Sequence, residues 1–299
     1  MFNLFHAEWI KIMGNRWVTA FLILIFPVGM FAFVMVMSVL IVLLPSMRDQ
    51  AGTQQLGLDH AVWTERALEA WTIPNGLLGR LLTLAFAVVI FAGEYQWQTW
   101  KSIVPRRRRV PLVLIKFLAV AVFVVLAFTL ASIIFAAGWG VMVKLAGGTY
   151  GPAITGDVVV DFAGEYLQQA WLAFTLTLIS ANFAALAGMF TRSILGGVLV
   201  GVGFTYIEGL SILGLALLAH LLSLPRLVEL YRLTPSYNVA NAQSWFTRGQ
   251  AAGVQAGNLL GSGFPNFSDG LTFSIVLLVV WVVALVGLTA YLFQNQDIT

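Results

Sequence analysis

The sequence predicts an all-α membrane protein with six transmembrane helices, and three observations support this fold class. Hydrophobic residues make up 60% of the 299 residues and charged residues only 10%, whereas a typical soluble domain has about 25% charged residues. Six apolar runs are each long enough to cross a bilayer, which takes about 20 residues. Basic residues are concentrated in one short polar loop, a pattern typical of loops retained on the cytoplasmic side.

The whole chain, residues 1–299, is expected to form a single transmembrane domain. Residues 1–16 mix apolar and charged side chains, which favours an amphipathic helix lying in the membrane interface. The six spans are predicted at residues 17–44, 74–93, 111–145, 166–190, 194–222 and 271–293. Residues 94–110 then form a cytoplasmic loop, and residues 223–270 form the longest polar segment, on the outer side.

The loop between spans two and three contains the only dense block of positive charge. Its basic residues are Lys101, Arg106, Arg107, Arg108 and Arg109. A charge at the bilayer centre costs about 3 kcal/mol or more, so four consecutive arginines cannot lie in hydrocarbon. The loop therefore lies at a membrane surface. The positive-inside rule places it in the cytoplasm, and six spans bring both termini to the same side.

The charge balance of the two sides agrees with this topology. With the loop inside, the inner side has nine basic and three acidic residues. The outer side has seven basic and nine acidic residues. The net charge of +3 and the pI near 9.3 therefore follow from topology, and no nucleic-acid partner is expected. The chain has no cysteine, which excludes disulfides, thiolate metal sites and cysteine catalysis.

Motifs for catalysis are missing from the sequence. No Gly-Lys dipeptide occurs, so the chain has no phosphate-binding loop of the G-x-x-x-x-G-K-[ST] kind. The three histidines, His6, His60 and His220, are scattered, and neither H-E-x-x-H nor G-x-S-x-G is present. We therefore expect no catalytic residues, no metal site and no cofactor in this chain, which is not an enzyme by itself.

Span five contains a small-residue face and one carboxylate. Gly197 and Gly201 allow another helix to approach closely, either within the chain or across a two-fold dimer interface. Glu208 follows by seven residues on nearly the same face. A carboxylate in a span is a functional candidate that could stay protonated, line a cavity or pair with a base. A purely structural contact, for example with Asn182, is an equal alternative.

The segment before the arginines predicts a helix with an aromatic stripe and a polar side. Trp97 and Trp100 lie on the stripe, and Glu94 and Lys101 lie on the polar side. Such a stripe could lie in the headgroup layer or insert into a protein partner. The simplest explanation of the adjacent arginines is that they set the topology and bind acidic lipid heads.

At this loop the chain resembles the permease subunits of ABC transporters of the ABC-2 class, the type V exporters. That family has a recurring pattern, E-Y-x-x-G-T-x-K-x-L-L-x-x-P, followed by basic residues and a lysine that opens span three. The matching residues are Glu94, Tyr95, Thr99, Lys101, Ile103, Val104, the arginine run and Lys116. Two positions depart from the pattern, since Gln98 replaces glycine and Pro105 comes early. The amphipathic start, six spans and large outer segment extend the resemblance to nearly the whole chain.

The resemblance implies an ATP-driven permease, an exporter, that pairs with a second copy or a homologous permease. Two separate ATP-binding-cassette subunits would hold ATP and Mg²⁺. Residues 1–16 would be the elbow helix, and residues 94–104 would be the coupling helix that docks on the ATPase. The implied docking residues are Glu94, Tyr95, Trp97, Thr99, Trp100, Lys101, Arg106, Arg107, Arg108 and Arg109. Spans two and five would line the path, with Gly197, Gly201 and Glu208 at the path or the dimer interface.

Two other function classes stay open at this point. One is a secondary transporter driven by an ion gradient, with Glu208 as the proton or ion site, although such proteins usually show internal repeats and several polar groups at the midplane. The other is a membrane assembly factor that transports nothing. Membrane lipids are expected partners in every case, and a multi-pass position in the cytoplasmic membrane is expected throughout.

Overall fold

The computed structural model describes residues 2–97, 109–254 and 264–296, and this part is mostly helical. Five helices are long and apolar enough to cross a membrane: Arg16–Leu43, Leu77–Gln96, Arg109–Ala146, Gly156–Thr191 and Leu271–Asn295. We call them spans one, two, three, four and six. Span five is a bent pair, Ile194–Gly209 and Ser211–Leu221, with an angle of 60° between its two helices. The predicted all-α polytopic class is confirmed.

The N-terminal helix runs over Phe2–Gly14, close to the predicted residues 1–16. It packs against span three, where the ring centroids of Trp9 and Phe123 are 5.1 Å apart. Span one follows as a short helix, a single π-helical turn at Ala20–Leu24 and a long helix, Ile25–Leu43. The N-terminal helix is therefore part of the packed bundle, and its place in the membrane interface stays a prediction.

Span two is the central helix of the bundle, packed against spans four and five. Small residues make this packing close. A Cβ built on Gly188 of span four would lie 3.0 Å from the Cβ of Ala92 in span two, tighter than most such contacts. Eleven of the 20 residues of span two are buried, which leaves little of its surface for lipid.

Spans three and four are longer than a bilayer requires. They contain 38 and 36 residues, or about 55 Å of helix, against about 30 Å of hydrocarbon. Their extra turns form a lobe with the helices Gln50–Gln55, Trp63–Glu69 and Thr72–Asn75. Two short parallel strands, His60–Val62 and Thr149–Gly151, join the two loops of this lobe. Span four was predicted at residues 166–190, and this start is corrected, since the helix begins at Gly156.

The described part of the segment between spans five and six, residues 223–254 and 264–270, contains two helices. It contains a 3-10 helix, Pro225–Leu233, and an α-helix, Pro235–Arg248, which we call the cap helix. The second helix of span five packs against the 3-10 helix. Val228 and Tyr237 contribute to a small separate core there. The predicted span at 194–222 is thus a bent pair of helices, because the chain bends by 60° at Leu210 and its second helix packs against the 3-10 helix.

Polar contacts bring both described ends of the chain to one face. Lys116, near the start of span three, has its Nζ 3.0 Å from Glu8 Oε2 in the N-terminal helix. Arg109, the first residue of span three, donates from Nη1 to the backbone oxygens of Phe293 (3.3 Å) and Gln296 (2.7 Å) at the end of span six. We call this face the proximal face and the opposite one the distal face.

Contacts at both ends of the first helix of span five identify it as a crossing. At the proximal face, the amide of Ile194 donates to Gln96 Oε1 over 3.3 Å. The helix has 16 residues, or about 24 Å. Near its end Glu208 bonds to Arg80, near the start of span two. We therefore treat the bent pair as a sixth candidate crossing.

Single cysteines test this arrangement, because the natural chain has none. Asp157→Cys and Gln250→Cys place thiols at exposed distal positions, and Asn295→Cys places one at an exposed proximal position. The two distal thiols should react with an impermeant maleimide in intact cells, and the proximal thiol only after permeabilisation. If residues 157 and 295 label from the same side, the fold described here is wrong.

Candidate functional site

Four charged side chains meet at the proximal face. Lys116 Nζ lies 2.8 Å from Glu94 Oε1 and 3.0 Å from Glu8 Oε2, and Lys11 Nζ also bonds to Glu94 Oε1. The side chains of Lys116 and Glu94 are 2% and 3% exposed. We call these four residues the proximal cluster. The cluster ties the N-terminal helix to the ends of spans two and three.

Burial makes the proximal cluster a strong constraint on packing. Moving a charge out of water costs several kcal/mol, and only a well-placed opposite charge offsets that cost. If the N-terminal helix moved away, Lys116 would lose Glu8, and Glu94 would lose Lys11. The N-terminal helix therefore moves together with the proximal ends of spans two and three.

Three of the predicted docking residues contact other parts of the same chain. Glu94 belongs to the last turn of span two, which ends at Gln96, rather than opening a new helix. Tyr95 donates its hydroxyl to Gln296 Oε1 over 2.6 Å. Arg109 bonds to carbonyl oxygens at the end of span six, where a helix leaves such groups without helical partners. The ends of the loop are therefore tied to other parts of the chain: Glu94 to the N-terminal helix and span three, and Tyr95 and Arg109 to the end of span six.

Trp97 differs from these three residues, because 56% of its surface is exposed. Its ring lies over Gly93, where an added Cβ would come within 2.7 Å of ring atom Cζ3. The ring is thus held in place on one side and open on the other. The remaining predicted docking residues lie outside the described residues: Thr99, Trp100, Lys101, Arg106, Arg107 and Arg108.

A second ionic cluster lies at the distal face. Arg80 of span two donates to Glu208 Oε2 over 2.8 Å and to Ser236 Oγ over 2.6 Å. Ser236 in turn donates its hydroxyl to Glu208 Oε2 and its amide to Glu208 Oε1, both over 2.6 Å. The side chains of Arg80 and Glu208 are each 7% exposed. We call these three residues the distal cluster.

The distal cluster connects three separate elements. Ser236 lies in the first turn of the cap helix, where backbone amides and the helix dipole favour a negative charge. The carboxylate of Glu208 is the negative charge at this helix start, and the guanidinium of Arg80 neutralises it. Span two, the bend of span five and the start of the cap helix are therefore held together by one buried carboxylate.

This geometry decides between the alternatives for Glu208. Its partners are a base and a hydroxyl of its own chain, so the carboxylate pairs with a base. The suggested partner Asn182 instead accepts from Thr289 Oγ1 of span six over 3.0 Å. Arg80 lies near the start of span two, and no local signal in the sequence links it to Glu208.

The glycine face of span five packs inside the chain. A Cβ on Gly197 would lie 2.8 Å from Val88 Cγ1, and one on Gly201 would lie 2.9 Å from Leu84 Cδ2. The internal-packing alternative is therefore the one observed. Val88 and Leu84 of span two occupy this face within the described chain, and a dimer interface near Gly197, Gly201 and Glu208 stays a prediction.

Each cluster borders a cavity. The proximal cavity, of about 400 Å³, lies between the N-terminal helix, the start of span one and span two. The distal cavity, of about 290 Å³, lies between span two, the bend of span five and the cap helix. In the described part of the chain, no group of three or more His, Asp or Glu side chains is placed to hold a metal ion.

Asp269 holds the cap helix over the start of span six. Its carboxylate accepts from Arg232 and from the Tyr237 hydroxyl (2.8 Å), and its carbonyl accepts from Asn241 (2.9 Å) and Trp245 (3.0 Å). Burial alone would raise the pKa of Asp269, but the hydrogen bonds from Arg232 and Tyr237 outweigh it and lower that pKa. The carboxylate thus stays charged at neutral pH and continues to accept these bonds.

No protein-family model matches the chain, and no curated protein shows significant similarity to it. The function therefore has to be argued from the sequence pattern and the geometry of the two clusters.

A double-mutant cycle tests the distal cluster. Breaking a buried ion pair by removing one partner typically costs about 3–5 kcal/mol, because the other charge stays buried. Arg80→Met and Glu208→Gln should each strongly lower the midpoint of unfolding in detergent. The double variant should lose much less stability than the two single variants lose together.

Glu69→Gln is the matched control. Glu69 pairs with Arg66, but half of its side chain is exposed, so its loss should cost less than about 1 kcal/mol. Additive effects of Arg80→Met and Glu208→Gln would contradict the pairing.

Proposed function

We propose that the chain is the permease subunit of an ATP-driven transporter of the ABC-2 class, and that it works as an exporter. The observation that carries the proposal is the proximal cluster, because it fixes the N-terminal helix at the point where span two leads into the arginine-rich loop. A separate ATPase can move the spans only if the loop on which it acts is rigidly joined to them. Glu94 and Lys116 provide such a joint on both sides of the loop.

The orientation follows from the same loop. Its arginines favour the cytoplasm, so we assign the proximal face, with both termini, to the cytoplasm and the distal lobe to the outside. This is the arrangement that a cytoplasmic ATPase requires. We place the protein in the cytoplasmic membrane as a multi-pass subunit.

We propose that Trp97 is the central docking residue on the ATPase. Exposed aromatic residues in a rigid setting are typical hot spots of protein interfaces, and Trp97 is held against Gly93 on one side. Trp100 and the basic residues from Lys101 to Arg108 would extend the contact. Glu94, Tyr95 and Arg109 position the loop instead of touching the partner. The partner would bind ATP and Mg²⁺, and this chain would perform no catalysis.

Spans two and five are proposed to move as one body. Their glycine contact at Gly197 and Gly201 is tight, and the distal cluster locks their far ends. ATP binding would then shift the population between two packings of this body against a second permease copy. The ion-coupled alternative has less support, since Glu208 would first have to give up Arg80 and Ser236 in order to bind a transported ion.

Replacement of Trp97 tests the proposal. Trp97→Ala should weaken assembly with the ATP-binding-cassette subunit that co-purifies with the wild-type chain, by about 2–4 kcal/mol if the residue is a hot spot. Stimulation of ATP hydrolysis by the permease should fall with it. Both are measured on complexes reconstituted in lipid.

Trp17→Ala is the matched control, because Trp17 is a 75% exposed tryptophan at the start of span one. It should leave assembly and ATPase stimulation unchanged. Equal stimulation by the wild-type chain and Trp97→Ala would rule out docking through this residue.

A further inference from the structure

We propose that the proximal cavity binds an anionic phospholipid, with its phosphate beside Lys11 and part of one acyl chain along span two. The cavity, of about 400 Å³, falls within the range of about 300–1,000 Å³ that is usual for small-ligand sites. This inference goes beyond the proposed transport function and does not depend on an ATPase partner.

The lining of the cavity changes from charged to apolar along span two. Glu94 and Lys116 line one end. Ile90 and Phe86 line it four and eight residues deeper, or about 6 and 12 Å further into the membrane. A ligand that fits this gradient has a polar head at one end and a hydrocarbon chain at the other. The apolar wall offers a hydrocarbon chain a surface to pack on, so the cavity fits an amphiphile better than a free headgroup.

The charge that a ligand can reach in this cavity is positive. Glu8, Glu94 and Lys116 are all more than 90% buried and interact with one another. Lys11 differs, since 43% of its side chain is exposed, while its ammonium group bonds to Glu94 Oε1. Arg16, which is also exposed, follows directly after the lining residue Asn15. An exposed basic residue in the lining favours an anionic head, and phosphate is the anionic group of phospholipids.

The position of the cavity gives the bound lipid a structural role. One wall is the N-terminal helix and the other is span two, and the proximal cluster joins them at one end. A lipid in the cavity would fill the space that the cluster leaves open between these helices. We therefore infer that an anionic lipid completes the packing of the N-terminal helix.

Photocrosslinking of the purified full-length chain tests the site. Phosphatidylglycerol with a diazirine in its acyl chain is compared with the equivalent phosphatidylcholine in the same nanodiscs, and labelled peptides are mapped by mass spectrometry. Phosphatidylglycerol should label peptides within residues 8–19 and 86–97 about fivefold more strongly, the preference expected for one basic residue near an anionic lipid.

Variants of this chain separate a built site from lipid that merely surrounds the protein. Lys11→Gln should abolish the preference for phosphatidylglycerol, and Lys11→Arg should keep it. Ile90→Trp, which fills the cavity, should abolish labelling by both lipids at these peptides. Leu130→Trp, at a 48% exposed position of span three, should change nothing, and thermal unfolding checks that all variants fold.

Two results would overturn the proposal. Equal labelling by both lipids that persists in Ile90→Trp would mean annular lipid only. Competition by free glycerophosphate at the concentration at which phosphatidylglycerol competes would mean that the site binds phosphate without needing an acyl chain.

Discussion

Span two carries a buried charge near each of its ends, and the rest of the fold is arranged to neutralise both. Arg80 pairs with Glu208 at the distal end, and Glu94 pairs with Lys116 and Lys11 at the proximal end. A buried charge without a partner costs several kcal/mol, and hydrocarbon around the bundle offers no water to replace the partner. The elements that supply these partners are therefore fixed relative to span two: the N-terminal helix, span three, and the bend of span five.

This constraint explains how the helices of the bundle are held together as one unit. Apolar helices in lipid gain little from hydrophobic association, and close packing and polar contacts hold them together instead. Here both occur on the same helix pair, because Gly197 and Gly201 let span five approach span two and the distal cluster closes the pair. The proposed transport cycle then needs only one moving interface, between this unit and a second permease, with force entering through the loop after Trp97.

The apolar runs are local signals, and they were enough to predict the helical class and most boundaries of the long apolar helices. The features that were missed depend on contacts between distant residues. Gly156 starts span four ten residues early because the helix continues into the distal lobe, and His60 pairs with a strand 89 residues away. The Arg80–Glu208 pair joins residues 128 positions apart. Glu94 was recognised as important, but its burial at the end of span two could be read only in three dimensions.

We propose that this chain pairs with a second permease and that the pair is driven by the work of a separate ATPase. The mass of the native assembly, extracted from its own membrane in mild detergent and measured by native mass spectrometry, tests that claim most directly. The account predicts two permease subunits, identical or homologous, together with two ATP-binding-cassette subunits, in a complex that hydrolyses ATP. An assembly that contains this chain and no ATP-binding-cassette subunit would contradict it.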